Sequence, residues 1–255
     1  MGHVTANRLR WGALAWLLTL QFFVAETVVQ LQLDGYSRSD DVISMLGAAI
    51  SPGARLMNAS FVLQAALILA GTLALRPLLR GTAGRAAVGL PGAAAVGVLL
   101  VGVFPLDGNV TLHRIGAGLY LAGGALGLIA LAYAVRRRSE VVGTALALLG
   151  LVGTAGTVFF LFGVTSYLGE GGTERAAGYV LPLGLALAGA ALWRLGTNPA
   201  AEEERARARA EQAERNRERD EALEAAARRD EQRAADPAED DDADDHWSTP
   251  VRRRE

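Results

Sequence analysis

Six long apolar runs, separated by short polar or glycine-rich joints, dominate the first 196 residues. A helix that crosses a hydrocarbon core of ~30 Å needs ~20 residues, and each run has about that length. The runs are apolar around the whole helix, whereas a helix buried in a water-soluble domain keeps a polar stripe. The pattern predicts an all-α integral membrane bundle of six transmembrane helices, at about residues 11–31, 56–75, 86–104, 115–135, 141–163 and 177–195.

The charged residues divide the chain into two parts of different composition. Residues 1–198 carry 13 Arg and 8 acids, whereas residues 199–255 carry 12 Arg and 19 acids. We therefore predict an N-terminus over 1–10, a six-span membrane domain over 11–196 and a charged tail over 197–255. The tail begins rich in Glu, Arg and Ala, and its only large apolar residue up to residue 236 is Leu223, so no coiled-coil seam exists. A solvated single helix is at most marginal in its first part, and its acidic end should be disordered, so we predict a largely disordered tail.

The arginines also predict the orientation of the bundle. Cytoplasmic connections of membrane proteins retain the excess of basic residues. Eight Arg flank the spans on the side of the N-terminus and only four flank them on the other side. Every basic residue is Arg and none is Lys, in a chain rich in Ala and Gly, a bias typical of a GC-rich bacterial genome. We predict a multi-pass protein of the bacterial inner membrane with both termini in the cytoplasm.

Several chemistries are excluded or disfavoured by residue type. Without Cys the chain has no disulfide and no thiolate metal site. A haem between helices needs paired axial ligands, and only His113 of the three histidines is near a span. We expect no cofactor, no metal and no nucleic-acid partner. Membrane lipids are the expected partners, the tail is a candidate docking segment for a cytoplasmic protein, and no pattern indicates an oligomeric state.

Polar residues in and beside the spans gather at the outer ends. A charge inside the membrane costs ~2.5 to 3.5 kcal/mol on insertion scales and typically faces the bundle interior or a watery cavity. Glu26 is the deepest of these charges, and we expect it to pair with Arg114 or His113 or to be neutral through desolvation. The alternative is a polar clamp between helices without chemistry. The outer set consists of Glu26, Gln30, Asp41, Asn58, Gln64, His113 and Arg114.

Three segments together resemble a bacterial six-span membrane family, known as domain of unknown function family 998. They are DVISMLG from Asp41, SPGARLMN from Ser51 and VGVFPLDGNVTLHRIGAG from Val101. The resemblance covers about residues 8–196 and implies the six-span topology, but no reaction. It adds Ser44 to the candidate ligand-binding residues. The chain departs from the family pattern at two positions, with Asp41 in place of Asn and Met45 in place of Asp.

Three functional hypotheses follow from this distribution. The first is an outward-facing polar pocket that binds a lipid headgroup or a small envelope solute. The second is a non-enzymatic accessory or scaffold protein that acts through its charged tail. The third is a membrane enzyme or proton-coupled transporter that uses Glu26 and His113, and we favour the non-enzymatic roles over it.

Overall fold

The computed structural model describes residues 6–79, 81–136, 139–197 and 199–235, and within these ranges it is helical without strands. The chain divides into two compact units, Met1–Asn198 and Pro199–Glu255. The first unit contains eight α-helices in its described ranges and two short 3-10 turns, Ile43–Gly47 and Arg76–Leu78. The helices are α1 (Ala6–Leu18), α2 (Gln21–Gln30), α3 (Ala54–Leu75), α4 (Gly81–Val103), α5 (Val110–Val135), α6 (Glu140–Leu161), α7 (Gly169–Gly178) and α8 (Val180–Thr197).

Six helical segments are long and apolar enough to cross a membrane, which confirms the predicted all-α bundle of a multi-pass membrane protein. Four of the spans, α3 to α6, begin within about five residues of the predicted positions. The first and sixth spans are each built from two helices in sequence. The six segments are Asn7–Gln30, Ala54–Leu78, Gly81–Val103, Val110–Val135, Glu140–Leu161 and Gly169–Arg194.

The break in the sixth span follows from Pro182. Proline has no N–H, so it cannot bond to the carbonyl four residues earlier, which belongs to Gly178. That carbonyl accepts a hydrogen bond from the Tyr120 hydroxyl at 3.1 Å instead. In the first span, Thr19 donates its hydroxyl to the Trp16 carbonyl at 2.6 Å and lies 3.3 Å from the Pro182 carbonyl. The two interrupted spans therefore meet at their breaks.

The start of the sixth span is a correction to the sequence prediction. The prediction placed residues 164–176 in an external loop, but helix α7 already begins at Gly169. Gly163 and Gly169 both have positive φ, 68° and 76°, a conformation that glycine adopts without strain. These two residues lie at the two ends of the connection between α6 and α7. The segment GEGGTERAAG is too polar to be recognised as part of a span by its composition.

Helices α4 and α5 approach each other through glycines. A Cβ atom added at Gly97 would lie 2.5 Å from the Gly116 carbonyl oxygen, so the two backbones are in direct contact. The GxxxG pair of α5 faces the same partner, with Gly123 against the Leu90 carbonyl and Gly127 against the ring of Pro91. Small residues permit such close packing of membrane helices, where dispersion contacts replace the hydrophobic effect.

Three connections form one end of the bundle, which we call the loop end. They cover residues 31–53, 104–109 and 162–168. The Asn58 amide donates to the Gly47 carbonyl at 2.8 Å, and the Asp107 carboxylate accepts from the Ala49 N–H at 2.8 Å. These bonds hold the 3-10 turn Ile43–Gly47 over the helix ends.

The second unit contains helix α9 (Pro199–Ala235). The side chains that the structure describes in it are solvent-exposed, including Leu223 at 59%. Its few side-chain contacts are local, such as the ion pair of Glu224 and Arg228 one turn apart, at 3.3 Å. The predicted disordered acidic segment lies outside the described residues.

Candidate functional site

A buried ion pair lies at the loop end of the bundle. Glu26 on α2 is 1% exposed, and Arg175 on α7 is 6% exposed. The Arg175 Nε–H donates to Glu26 Oε1 at 2.9 Å, and the Tyr179 hydroxyl lies 2.6 and 2.8 Å from the two carboxylate oxygens. Arg38 completes this group from the long connection, donating to Tyr179 at 2.6 Å. We call Glu26, Tyr36, Arg38, Arg175 and Tyr179 the ion-pair cluster.

Arg175 also fixes the path of the long connection, residues 31–53. Its Nη1 group donates to the carbonyls of Arg38, Asp41 and Gly171 at 2.7, 2.9 and 3.0 Å. Its Nη2 group donates to the Tyr36 hydroxyl at 2.5 Å. Burial raises the pKa of Tyr36, and the hydrogen bond from Arg175 partly offsets that shift. The guanidinium is therefore occupied by the connection and by Glu26.

A second group, the His113 cluster, consists of Ser44, His113 and Glu174. The Glu174 carboxylate, 8% exposed, accepts from the Ile43 N–H and from the Ser44 hydroxyl, the latter at 3.3 Å. His113, 3% exposed, places Nε2 3.0 Å from Ser44 Oγ and Nδ1 2.8 Å from the Phe104 carbonyl oxygen. Three separate elements meet here: the 3-10 turn, α5 and α7.

A small cavity adjoins the His113 cluster. Its volume is about 40 Å³, which holds a few water molecules. Ser44, Glu174 and Tyr120 supply the polar part of its lining. The remaining wall is apolar, formed by Phe22, Ile43, Phe61, Val98, Val101, Ala117, Leu121 and Gly178.

The predicted site residues are distributed over these groups. Glu26 belongs to the ion-pair cluster, and Gln30 contacts that cluster by accepting a hydrogen bond from Arg38 at 2.9 Å. Asp41 contributes only its carbonyl to Arg175, because its carboxylate bonds to the Ser37 N–H at 2.8 Å. Ser44 and His113 form the second cluster.

Three other predicted residues lie outside both clusters. Asn58 anchors the 3-10 turn. Gln64 accepts from Gln21 at 3.2 Å inside the bundle, and its own Nε2 is buried without a hydrogen-bond partner in the part of the chain that the structure describes. Arg114 is solvent-exposed, and none of the polar contacts in the described part of the chain involves it.

The predicted partners of Glu26 were wrong. Neither Arg114 nor His113 contacts Glu26, because both begin α5 and His113 points towards the 3-10 turn. Sequence reasoning missed Glu174 and Arg175 as site residues because it assigned both to a loop. The usable signal was the spacing of Arg175 and Tyr179, four residues apart, which places both on one face of a helix.

A family model described as "Protein of unknown function (DUF998)" matches residues 16–193. This chain belongs to the DUF998 family. The match confirms the resemblance seen in the sequence, and it covers all members of the ion-pair cluster and of the His113 cluster but not the charged tail of this DUF998 protein. No curated protein and no solved structure matches the chain.

Proposed function

We propose that this membrane protein binds a lipid headgroup or a small solute in the cavity beside the His113 cluster, through an ammonium group that contacts Glu174. The observation that supports this is the environment of the Glu174 carboxylate. It lines the cavity and is nearly buried, yet no cation lies within ion-pair distance of it in the described part of the chain. A buried carboxylate without a counter-ion is costly, so a ligand cation is favoured there.

The neighbouring arginine does not meet that need. Arg175 directs its Nε group to Glu26 and its Nη groups to backbone carbonyls and to Tyr36. A carboxylate offers about four acceptor positions, and Glu174 uses two of them, for Ile43 and Ser44. At least one acceptor position therefore remains for a donor that enters the cavity.

The apolar wall defines the rest of the ligand. Binding pockets for small molecules combine mostly apolar walls with a few polar groups that orient the ligand. Here Phe22, Phe61 and Leu121 face the same space as Glu174. An amine attached to a short hydrocarbon segment matches the chemistry of this lining.

Native mass spectrometry of the detergent-purified full chain tests the proposal with two ligand sources. Phosphatidylethanolamine carries an ammonium and phosphatidylglycerol does not, so we expect retention of the first in preference to the second. Free ethanolamine should raise the unfolding temperature if a soluble amine is the ligand. Glu174→Gln should abolish either effect, whereas Glu170→Gln, on the exposed face of the same helix, should preserve it. Unchanged binding by Glu174→Gln, or no binding of either amine, would refute the proposal.

The scaffold role is a second candidate, because α9 runs for 37 residues with its described side chains open to solvent. A helix without an apolar face of its own offers charged side chains to a partner. Deletion of residues 199–255 should then abolish the cellular function while Glu174→Gln preserves it. The opposite pattern would assign the function to the cavity.

We also propose that the loop end faces the outside of the bacterial inner membrane and that both termini are cytoplasmic. The support is the arginine asymmetry, eight against four around the spans. In this orientation the cavity is reached from the periplasmic side or from the outer leaflet.

A further inference from the structure

The Ser44 and His113 side chains have the relative geometry of a nucleophile and its base. Ser44 Oγ lies 3.0 Å from His113 Nε2. His113 Nδ1 lies 2.8 Å from the Phe104 carbonyl oxygen, which accepts hydrogen bonds and cannot donate them. Nδ1 therefore carries a hydrogen, and in the neutral imidazole Nε2 is the acceptor that faces the serine. In serine hydrolases the same tautomer activates the hydroxyl.

The His113 ring is 3% exposed and lies at the start of α5. His113 is the fourth residue of the helix, whose first residue is Val110. A neutral imidazole with a free lone pair on Nε2 is the state that accepts a proton from a hydroxyl.

Glu174 decides where the Ser44 hydroxyl points. The single hydroxyl hydrogen has two acceptors, Glu174 Oε1 at 3.3 Å and His113 Nε2 at 3.0 Å. An ammonium ligand at a free acceptor position of Glu174 partly neutralises the carboxylate and so weakens its hydrogen bond from the Ser44 hydroxyl. The hydroxyl then donates to His113, so ligand binding itself aligns the pair.

We propose that Ser44 is a nucleophile and His113 its general base in the hydrolysis of a carboxylic ester whose alcohol part carries an ammonium group. This inference rests on the proposed function, because the ammonium is held by Glu174 in the same cavity. Ser44 lines that cavity, so its Oγ can reach a bound carbonyl carbon.

The proposed hydrolysis uses water as its only co-reactant. Ser44 Oγ forms a bond to the ester carbonyl carbon, and its proton moves to His113 Nε2. Collapse of the tetrahedral intermediate breaks the bond to the alcohol oxygen, which takes the proton from Nε2. Water then attacks the acyl-serine with His113 again as base. The products are the carboxylic acid and the amino alcohol, and the Ser44 hydroxyl is restored.

An alkyl fluorophosphonate of short chain length tests the pair directly, because this probe forms a covalent adduct with activated serines. We expect the purified full-length protein to gain one adduct, located at Ser44 by peptide mass spectrometry. Ser44→Ala should gain none, and His113→Gln should react at least about 100-fold more slowly. The matched control is Ser51→Ala, because Ser51 is also buried but its Oγ has no hydrogen-bond partner among the described residues.

The outcomes separate this inference from the binding proposal. Absence of an adduct on the wild-type protein, or equal labelling of wild type and Ser44→Ala, overturns the nucleophile while leaving amine binding intact. If the wild-type protein is labelled at Ser44 but binds neither amine, the binding proposal is overturned instead. If His113→Gln fails to fold, the wild-type adduct and its position still decide whether Ser44 is reactive.

Discussion

The clearest quantitative prediction concerns the ion pair of Glu26 and Arg175. Both side chains are more than nine-tenths buried, and the Nε to Oε1 distance is 2.9 Å. Removing one member of a buried pair leaves an uncompensated charge and typically costs 3–5 kcal/mol. In Glu26→Gln, the Tyr179 hydroxyl still has an amide oxygen to bond, so we expect a loss of about 3 kcal/mol in the free energy of unfolding.

A double-mutant cycle isolates the interaction from the loss of either side chain. Arg175→Gln also removes the bonds to the carbonyls of Arg38 and Asp41, so its loss should be about 4 kcal/mol. In the double variant no buried charge is left unpaired. Its loss should be smaller than the sum of the single losses by about 2 kcal/mol.

Equilibrium unfolding in mixed micelles, followed by tryptophan fluorescence, measures these free energies. The control is Glu140→Gln, an exposed carboxylate at the start of α6, for which we expect a loss below about 1 kcal/mol. A value for Glu26→Gln within about 0.5 kcal/mol of wild type, or an additive cycle, would show that the buried pair does not stabilise the fold.

Three further predictions use the same preparations. Gly71→Ala places a methyl group against the indole ring of Trp16 and should lower the free energy of unfolding by about 2 kcal/mol. Gly89→Ala, where an added Cβ meets no described atom within 4 Å, should raise it by up to about 1 kcal/mol. Equal effects of the two substitutions would contradict the packing. Tyr36→Phe should cost about 1–2 kcal/mol in the free energy of unfolding. Burial raises the pKa of Tyr36, so the stability that its hydroxyl contributes is present below the ordinary pKa of about 10 and is lost as pH rises through the raised pKa. Tyr36→Phe should therefore lose less stability in alkali than wild type does. In this cysteine-free chain, an impermeant maleimide should label Tyr167→Cys in intact cells and Leu223→Cys only after permeabilisation, and the reverse would overturn the orientation.

The membrane bundle was predictable because it depends on composition summed over about twenty residues. Runs such as α4 and α6 are apolar throughout, and lipid selects for that property wherever each helix packs. The helix starting at Gly169 escaped the same reasoning, because its ten residues include four glycines and three charges. It is held by contacts with other parts of the chain, including the Gly172 N–H bond to the Ser39 carbonyl at 2.9 Å.

The candidate site was predictable as a region but not as a set of contacts. Glu26, Ser44 and His113 were all recognised in the sequence. The expected pairing of Glu26 with His113 was wrong because pairing depends on which helix ends are adjacent and which way each side chain points. Glu26 meets Arg175 across 149 positions of sequence, and Ser44 meets His113 across 69. No local pattern carries that information.

By itself, the sequence determined that this protein has six segments long and apolar enough to cross a membrane, that its tail is a separate charged unit and that its polar groups collect at one end of the bundle. Each of these follows from the transfer of whole segments between water and lipid, which depends on residue types alone. The tertiary structure decided that Arg175 neutralises Glu26, that no cation of the described residues lies within ion-pair distance of Glu174 and that Ser44 bonds to His113. Those choices depend on distances of about 3 Å between side chains from different helices and connections, which only the packed bundle defines.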